Sequence, residues 1–160
     1  HLGGANYVCY NIQGNNADEL NRQMHEHGPP SDVDYEYLAM ASYRYETSGG
    51  TCYADGNADL SDFIVSTEYS ITMPCWRPSS GTNSELIASF DSLMRYIAVH
   101  ELRHVEIARE YASILQQRFR ASNTCDLETL NAIWDQGSVE LESAQDAFHA
   151  SPDGQPMDWP

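Results

Sequence analysis

Between Leu86 and Ile114 the chain repeats at steps of three and four: Leu86, Phe90, Leu93, Ile97, His100, His104, Ile107, Tyr111 and Ile114. Only an α-helix turns that spacing into one continuous face, because residues three and four apart lie over one another. The stripe predicts a helix running to about Arg120, and Thr82-Asn83-Ser84-Glu85 in front of it has the spacing of a capping box. A second helix is expected from about Asp126 to Phe148, with Leu127, Leu130, Trp134, Leu141 and Phe148 turned inward. Gly137 is expected to weaken or bend its middle.

The first half reads differently. Tyr7 to Ile12 is short, aromatic and partly alternating, and it ends at Gly14, as a strand does. A short helix is expected over Asp18 to Glu26, stopped by Gly28-Pro29-Pro30. Tyr37 to Tyr45 and Phe63 to Met73 suit strands, separated by the turn-rich Ser48-Gly49-Gly50 and Asp55-Gly56-Asn57. The fold class is therefore α+β: a small N-terminal β-sheet with a short helix, then two long helices. At 160 residues a single domain spanning 1–160 is expected, with an irregular tail from about residue 151. No apolar run approaches the roughly 18 residues of a membrane span, so a soluble product without membrane insertion is expected.

Composition narrows the setting. Cys9, Cys52, Cys75 and Cys125 are even in number and no two form a Cys-x-x-Cys pair, which disfavours a zinc ribbon or a thioredoxin-like motif. Two disulfides in an oxidising compartment are expected, with all three pairings open, against the competing reading of buried free thiols. The first residue is His1 rather than methionine, so a processed or trimmed product is expected, and the disulfide reading places it as secreted or in the periplasm or cell envelope, with a signal peptide expected to have been removed. With 24 acidic residues, 8 basic ones and a net charge of −16, the chain should repel nucleic acid and anionic membrane. That charge could attract a basic substrate, but the favoured reading is a solvated acidic surface that keeps a secreted protein soluble.

His100 and His104 stand one helical turn apart on the stripe, so both imidazoles face the same way. Two nitrogens so placed can meet one Zn2+ at about 2.0–2.1 Å. Glu101, the next residue after His100, is turned about 100° around the helix, beside a metal rather than on it. There a carboxylate can take a proton from a metal-activated water and hand it to a leaving amine. The competing reading is a pair of histidines satisfied by ordinary hydrogen bonds.

A catalytic zinc takes three protein ligands and leaves one place open. Glu110 lies six residues after His104, where metzincins such as the astacins place their third histidine, but those chains turn back at a glycine where Ile107 stands here. On an unbroken helix Glu110 points away. The third ligand is expected from the second helix or its end, with Glu140, Glu142, Asp146, His149 and Asp153 as candidates. Histidine is the more specific zinc ligand, which favours His149; the acidic residues read as solvated helix faces. Asp55-Gly56-Asn57-Ala58-Asp59 opens like a calcium loop, but Leu60 and Ser66 occupy the positions that need glycine and glutamate, so an acidic turn is expected. His25 and His27 are two apart and face different ways, and Arg103 is expected to pair with a carboxylate. The ten tyrosines include potential oxyanion donors, among which sequence does not choose.

The order of these features resembles a family of small secreted bacterial proteins described as zinc-dependent, zincin-like proteases and catalogued as a domain of unknown function. The resemblance spans Tyr7 to Gly14, Leu20 through Met24 to Gly28-Pro29, Tyr43-Arg44-Tyr45, Met73-Pro74-Cys75-Trp76, the helix with His100-Glu101 and His104-Val105, Cys125 with Leu127, and an aromatic near the end of the last helix. The family tail carries an aspartate after that aromatic and a histidine before a glycine. Here His149 follows Phe148 and Asp153 precedes Gly154, one residue shorter, so His149 transfers first as third ligand and Asp153 second. The resemblance implies a zinc metallopeptidase acting on peptide or protein substrates, with Glu101 as general base and acid. A zinc amidase or peptidoglycan-directed hydrolase would use the same residues, and a noncatalytic binding module with a structural metal is the alternative from another class.

Overall fold

A computed structural model describes residues 6–30, 38–155 and 159. The order is β1 (Tyr7–Ile12), α1 (Ala17–His27), β2 (Met40–Ser48), β3 (Thr51–Cys52), β4 (Ala58–Asp59), β5 (Ile64–Trp76), α2 (Ser84–Ser122) and α3 (Leu127–Ala150), closed by a 3-10 turn at Pro152–Gly154. The α+β class expected from the sequence is the observed one. β1, β5 and β2 form a three-stranded sheet in that order, with β1 parallel to β5 and Tyr7 opposite Ile71; β3 and β4 pair antiparallel on their own. Tyr37, the expected start of the second strand, lies outside the described residues. That strand runs on to Ser48, and β5 continues through Pro74 to Trp76, both past the expected ends.

Two compact units divide the chain. One takes in the described residues up to Ser42, Tyr69–Arg103 and those from Gln155 onward; the other is Tyr43–Glu68 with His104–Gly154. The core of the first gathers Ile12, Leu20, Met24, Ala39, Phe90, Leu93 and Ile97. Trp76 stacks edge-on against Phe90 and donates its indole N–H to the Gly14 carbonyl at 3.1 Å. Trp159 reaches the other side of Phe90 and bonds Ser89. The core of the second is Val65, Ala112, Leu115 and Phe119, with Tyr45, Phe63, Ile133 and Trp134 against it. Each unit holds one disulfide, Cys9–Cys75 across the parallel strands β1 and β5, and Cys52–Cys125. Closing loops of 66 and 73 residues, each removes chain entropy from the unfolded state worth about 4 kcal/mol.

Asp126 caps α3 by accepting from the Thr129 N–H, and Asn16 does the same for α1 from Glu19. At α2 the cap is displaced by one residue from the expected box. Asn83 Oδ1 accepts the Glu85 N–H at 2.8 Å, while the Thr82 hydroxyl is spent on the Ser79 carbonyl. Leu127, expected inward, is 73% exposed in the first turn of α3. The buried stripe of α2 also departs from the expected one. Beyond Ile97 it follows Glu101, Val105, Ala108, Ala112, Leu115 and Phe119, and leaves His100, His104, Tyr111 and Ile114 half-buried along its border.

Gly137 is buried and does not mark a weak point. A Cβ there would stand 2.4 Å from Cδ2 of Leu115, itself only 1% exposed. The glycine is where α3 packs against the Leu115 side chain of α2. Glycine to alanine inside a helix ordinarily stabilises by about 1 kcal/mol. Here overpacking outweighs propensity, and Gly137→Ala is expected to destabilise by about 1–3 kcal/mol. Urea unfolding midpoints of the two proteins check the sign.

Candidate metal centre

α2 is one uninterrupted helix from Ser84 to Ser122, so His100 and His104 are held one turn apart by its backbone alone. His149 comes from the last turn of α3. Ligand nitrogens of His100, His104 and His149, one from each, lie within 4.8 Å of one another, and Nε2 of His149 is 3.0 Å from Nε2 of His104. Nitrogens bound to one tetrahedral zinc stand about 3.3 Å apart. A small adjustment of side chains therefore suffices to place all three on one ion. Among the described residues this is the group of histidine, cysteine, aspartate or glutamate side chains placed to share a metal.

The end of α3 is fixed tightly. The Phe148 carbonyl accepts from both the N–H and the hydroxyl of Ser151, at 2.9 and 2.6 Å. The chain then folds back so closely that a Cβ on Gly154 would lie 2.0 Å from that same carbonyl oxygen. Any side chain there would push the final turn, and His149 with it, out of position. Phe148 sets its ring edge-on to His104 at 5.0 Å and shields one side of the imidazole.

Burial governs the protonation of both α2 groups next to the ligand atoms. Glu101 is 7% exposed, and loss of hydration raises its carboxyl from the ordinary 4.5 to about 7, partly offset by the Ala41 N–H that donates to Oε2 at 2.7 Å. His104 is shifted below its ordinary value, first by burial and further by His149, with the Gln145 hydrogen bond opposing. A neutral imidazole is the form that can offer a lone pair to a metal.

The other expected candidates are placed elsewhere. Glu140 is engaged by Arg118 at 2.8 Å and Gln136 at 2.9 Å. Glu142, Asp146 and Asp153 are exposed and outside the histidine group, as is Glu110, carried on by the unbroken α2. Asp55 and Asp59 turn their carboxylates onto Asn57 and Ser61 in the β3–β4 region, and those bonds hold both below the usual carboxylate range. An acidic turn accounts for them.

Residues 7–155 match the family described as bacterial protein of unknown function, DUF922. The chain belongs to that family. No curated protein and no solved structure matches it. In this DUF922 protein, two groups at the centre carry no motif of their own: the Ala41 N–H and Gln145. Gln145 could have been found from its spacing, since it stands one turn before His149 and shares its face of α3.

The raised Glu101 carboxyl makes stability fall with pH. Between about pH 4.5 and 7 the folded chain keeps a proton that the unfolded chain has released, so stability is lost as pH rises through that window and levels off above it. The loss is roughly 3 kcal/mol at most. With a chelator present, Glu101→Gln is expected to remove this part of the slope, measured as the difference between the two proteins' unfolding free energies at pH 4.5 and pH 8.

Proposed function

We propose that this DUF922 chain is a zinc metallopeptidase acting in an oxidising, extracytoplasmic compartment. The reading is carried by one observation: three imidazole nitrogens converge within 4.8 Å, and the residue following the first of them is a buried carboxyl. An all-nitrogen donor set suits zinc or another late first-row ion and does not suit magnesium or calcium, which take oxygen ligands. Three ligands leave a fourth place for water or substrate, the arrangement of catalytic rather than structural zinc.

Zinc held there would acidify a water and polarise a substrate carbonyl. His100, His104 and His149 are the residues that would hold it. Glu101 Oε takes the proton of the attacking water as the oxygen adds to the carbonyl carbon, then delivers that proton to the amide nitrogen as the C–N bond breaks. The Ala41 N–H keeps the carboxyl from swinging away between the two transfers. A cation nearby favours the charged form and brings the carboxyl back down from its raised value, so the group can act as a base at neutral pH.

The setting agrees with this reading. Two disulfides belong to an oxidising environment, and among the described residues no helix is long and apolar enough to cross a membrane. A net charge of −16 opposes binding to nucleic acid.

Metal analysis of the purified chain should give one zinc per molecule, and His149→Ala should lose it. Glu101→Gln should keep the zinc while turnover of a mixed peptide library falls by about 10²–10⁴. Zinc scattering located away from His100 and His104, or a Glu101→Gln protein as active as its parent, overturns the assignment.

A further inference from the structure

We propose that Gln145 is a positioning residue that fixes the tautomer of His104, keeping the proton on Nδ1 and the lone pair on Nε2. The functional consequence rests on the zinc reading above, since it takes His104 as a ligand. The tautomer itself is a property of the protein and can be measured without metal.

The argument is one of donors and acceptors. Gln145 makes three polar contacts: Oε1 with His104 Nδ1 at 2.5 Å, Nε2 with the His104 backbone carbonyl at 3.1 Å, and Nε2 with the Tyr43 hydroxyl at 3.3 Å. An amide side chain can be turned over so that its nitrogen and oxygen exchange places, and the surrounding network must decide which way it sits. A backbone carbonyl can only accept, so the NH2 end of Gln145 has to face it. The oxygen end then faces the imidazole. Because that oxygen can only accept, His104 Nδ1 has to donate. The sequence of one-way choices has a single solution.

In the neutral ring what remains on His104 is an unprotonated Nε2, and this is the atom 3.0 Å from Nε2 of His149. The lone pair is thus aimed at the place where the three histidines meet. An unconstrained imidazole divides its proton between both nitrogens and must rearrange before it can ligate. Gln145 removes that step, and it does so from α3, the same helix that supplies His149 one turn later.

A carboxylate would not serve equally. It could accept from Nδ1, but its second oxygen would meet the lone pairs of the His104 carbonyl where Gln145 now donates. Only an amide satisfies the ring and the backbone carbonyl at once. Its neutrality also leaves the ligand without an added negative charge, so the bound ion stays a stronger Lewis acid.

Long-range 1H–15N correlation of the full chain at pH 8 with a chelator reads the tautomer directly. His104 should show a protonated Nδ1 and a bare Nε2, and Gln145→Leu should shift proton population to Nε2. Competition titration should show zinc affinity of Gln145→Leu falling about 10- to 100-fold. Gln145→Met, close to glutamine in length and without the amide, carries the test should the leucine variant not fold; the parental tautomer kept in it then refutes the idea. A parent already protonated at Nε2, or a folded Gln145→Leu with unchanged tautomer and affinity, overturns the proposal. A chain that holds no zinc on its histidines removes the peptidase reading, while the nitrogen shifts still decide the role of Gln145.

Discussion

The close approach of α3 to α2 at Gly137 and Leu115 is the constraint behind the rest of the second unit. Two helices with ordinary side chains at the contact lie 8–10 Å apart. Gly137 leaves room on α3 for the buried Leu115 side chain of α2, and the register of the two helices is consistent along their length. Phe119 lies near Trp134, Leu115 against Gly137, and His104 beside Gln145 and His149. One position falls as the other rises, as antiparallel helices require. The Arg118–Glu140 pair, a third exposed on each side, adds orientation more than stability.

The same packing sets the electrostatics. Burial works against the charged form of whatever it encloses, so it raises an acid and lowers a base. Glu101 and His104 are displaced in opposite directions for that one reason. Neither change helps the fold. A leucine at position 101 would bury well on the stripe shared with Ile97, Val105 and Ala108, without the cost of a dehydrated carboxyl. A buried carboxyl with such a cost marks a functional candidate, and the Ala41 N–H held against it restricts where its oxygens point.

Much of this was legible in the sequence, and the parts that were not have physical causes. The two long helices follow from spacing alone, because a period near 3.6 cannot serve a strand. The pair at His100 and His104 follows from the same period. The buried stripe was read through the histidines because they continued the rhythm of Phe90, Leu93 and Ile97. A polar Glu101 on the true face hid the drift, since hydropathy cannot see a buried carboxyl. Gly137 was read as a local weakness because sequence shows its poor helix propensity and not the partner helix that excludes a Cβ. The β3–β4 pair has two residues in each strand, too short to carry any alternation. Leu127 falls in the first turn of α3, outside the reach of the neighbouring core, and no local signal marks the difference. Gln145 has no motif because its role exists only in relation to a ring on another helix.

A surface with 24 acidic side chains collects cations of every kind, and outside a cell calcium and magnesium far outnumber zinc. Selectivity therefore cannot come from charge. It has to come from donor chemistry, because carboxylates bind hard ions weakly and reversibly while neutral imidazoles favour the later first-row metals. The arrangement of the chain follows that division. Its carboxylates are spent on caps, turns and surface pairs, as with Asp126 on Thr129, Asp55 on Asn57 and Glu140 on Arg118. The three groups that converge are histidines, and the group that orients one of them is an uncharged amide. Keeping carboxylates out of the histidine group is what would let a metal site on so acidic a protein favour late first-row ions over the hard ions that crowd its surface.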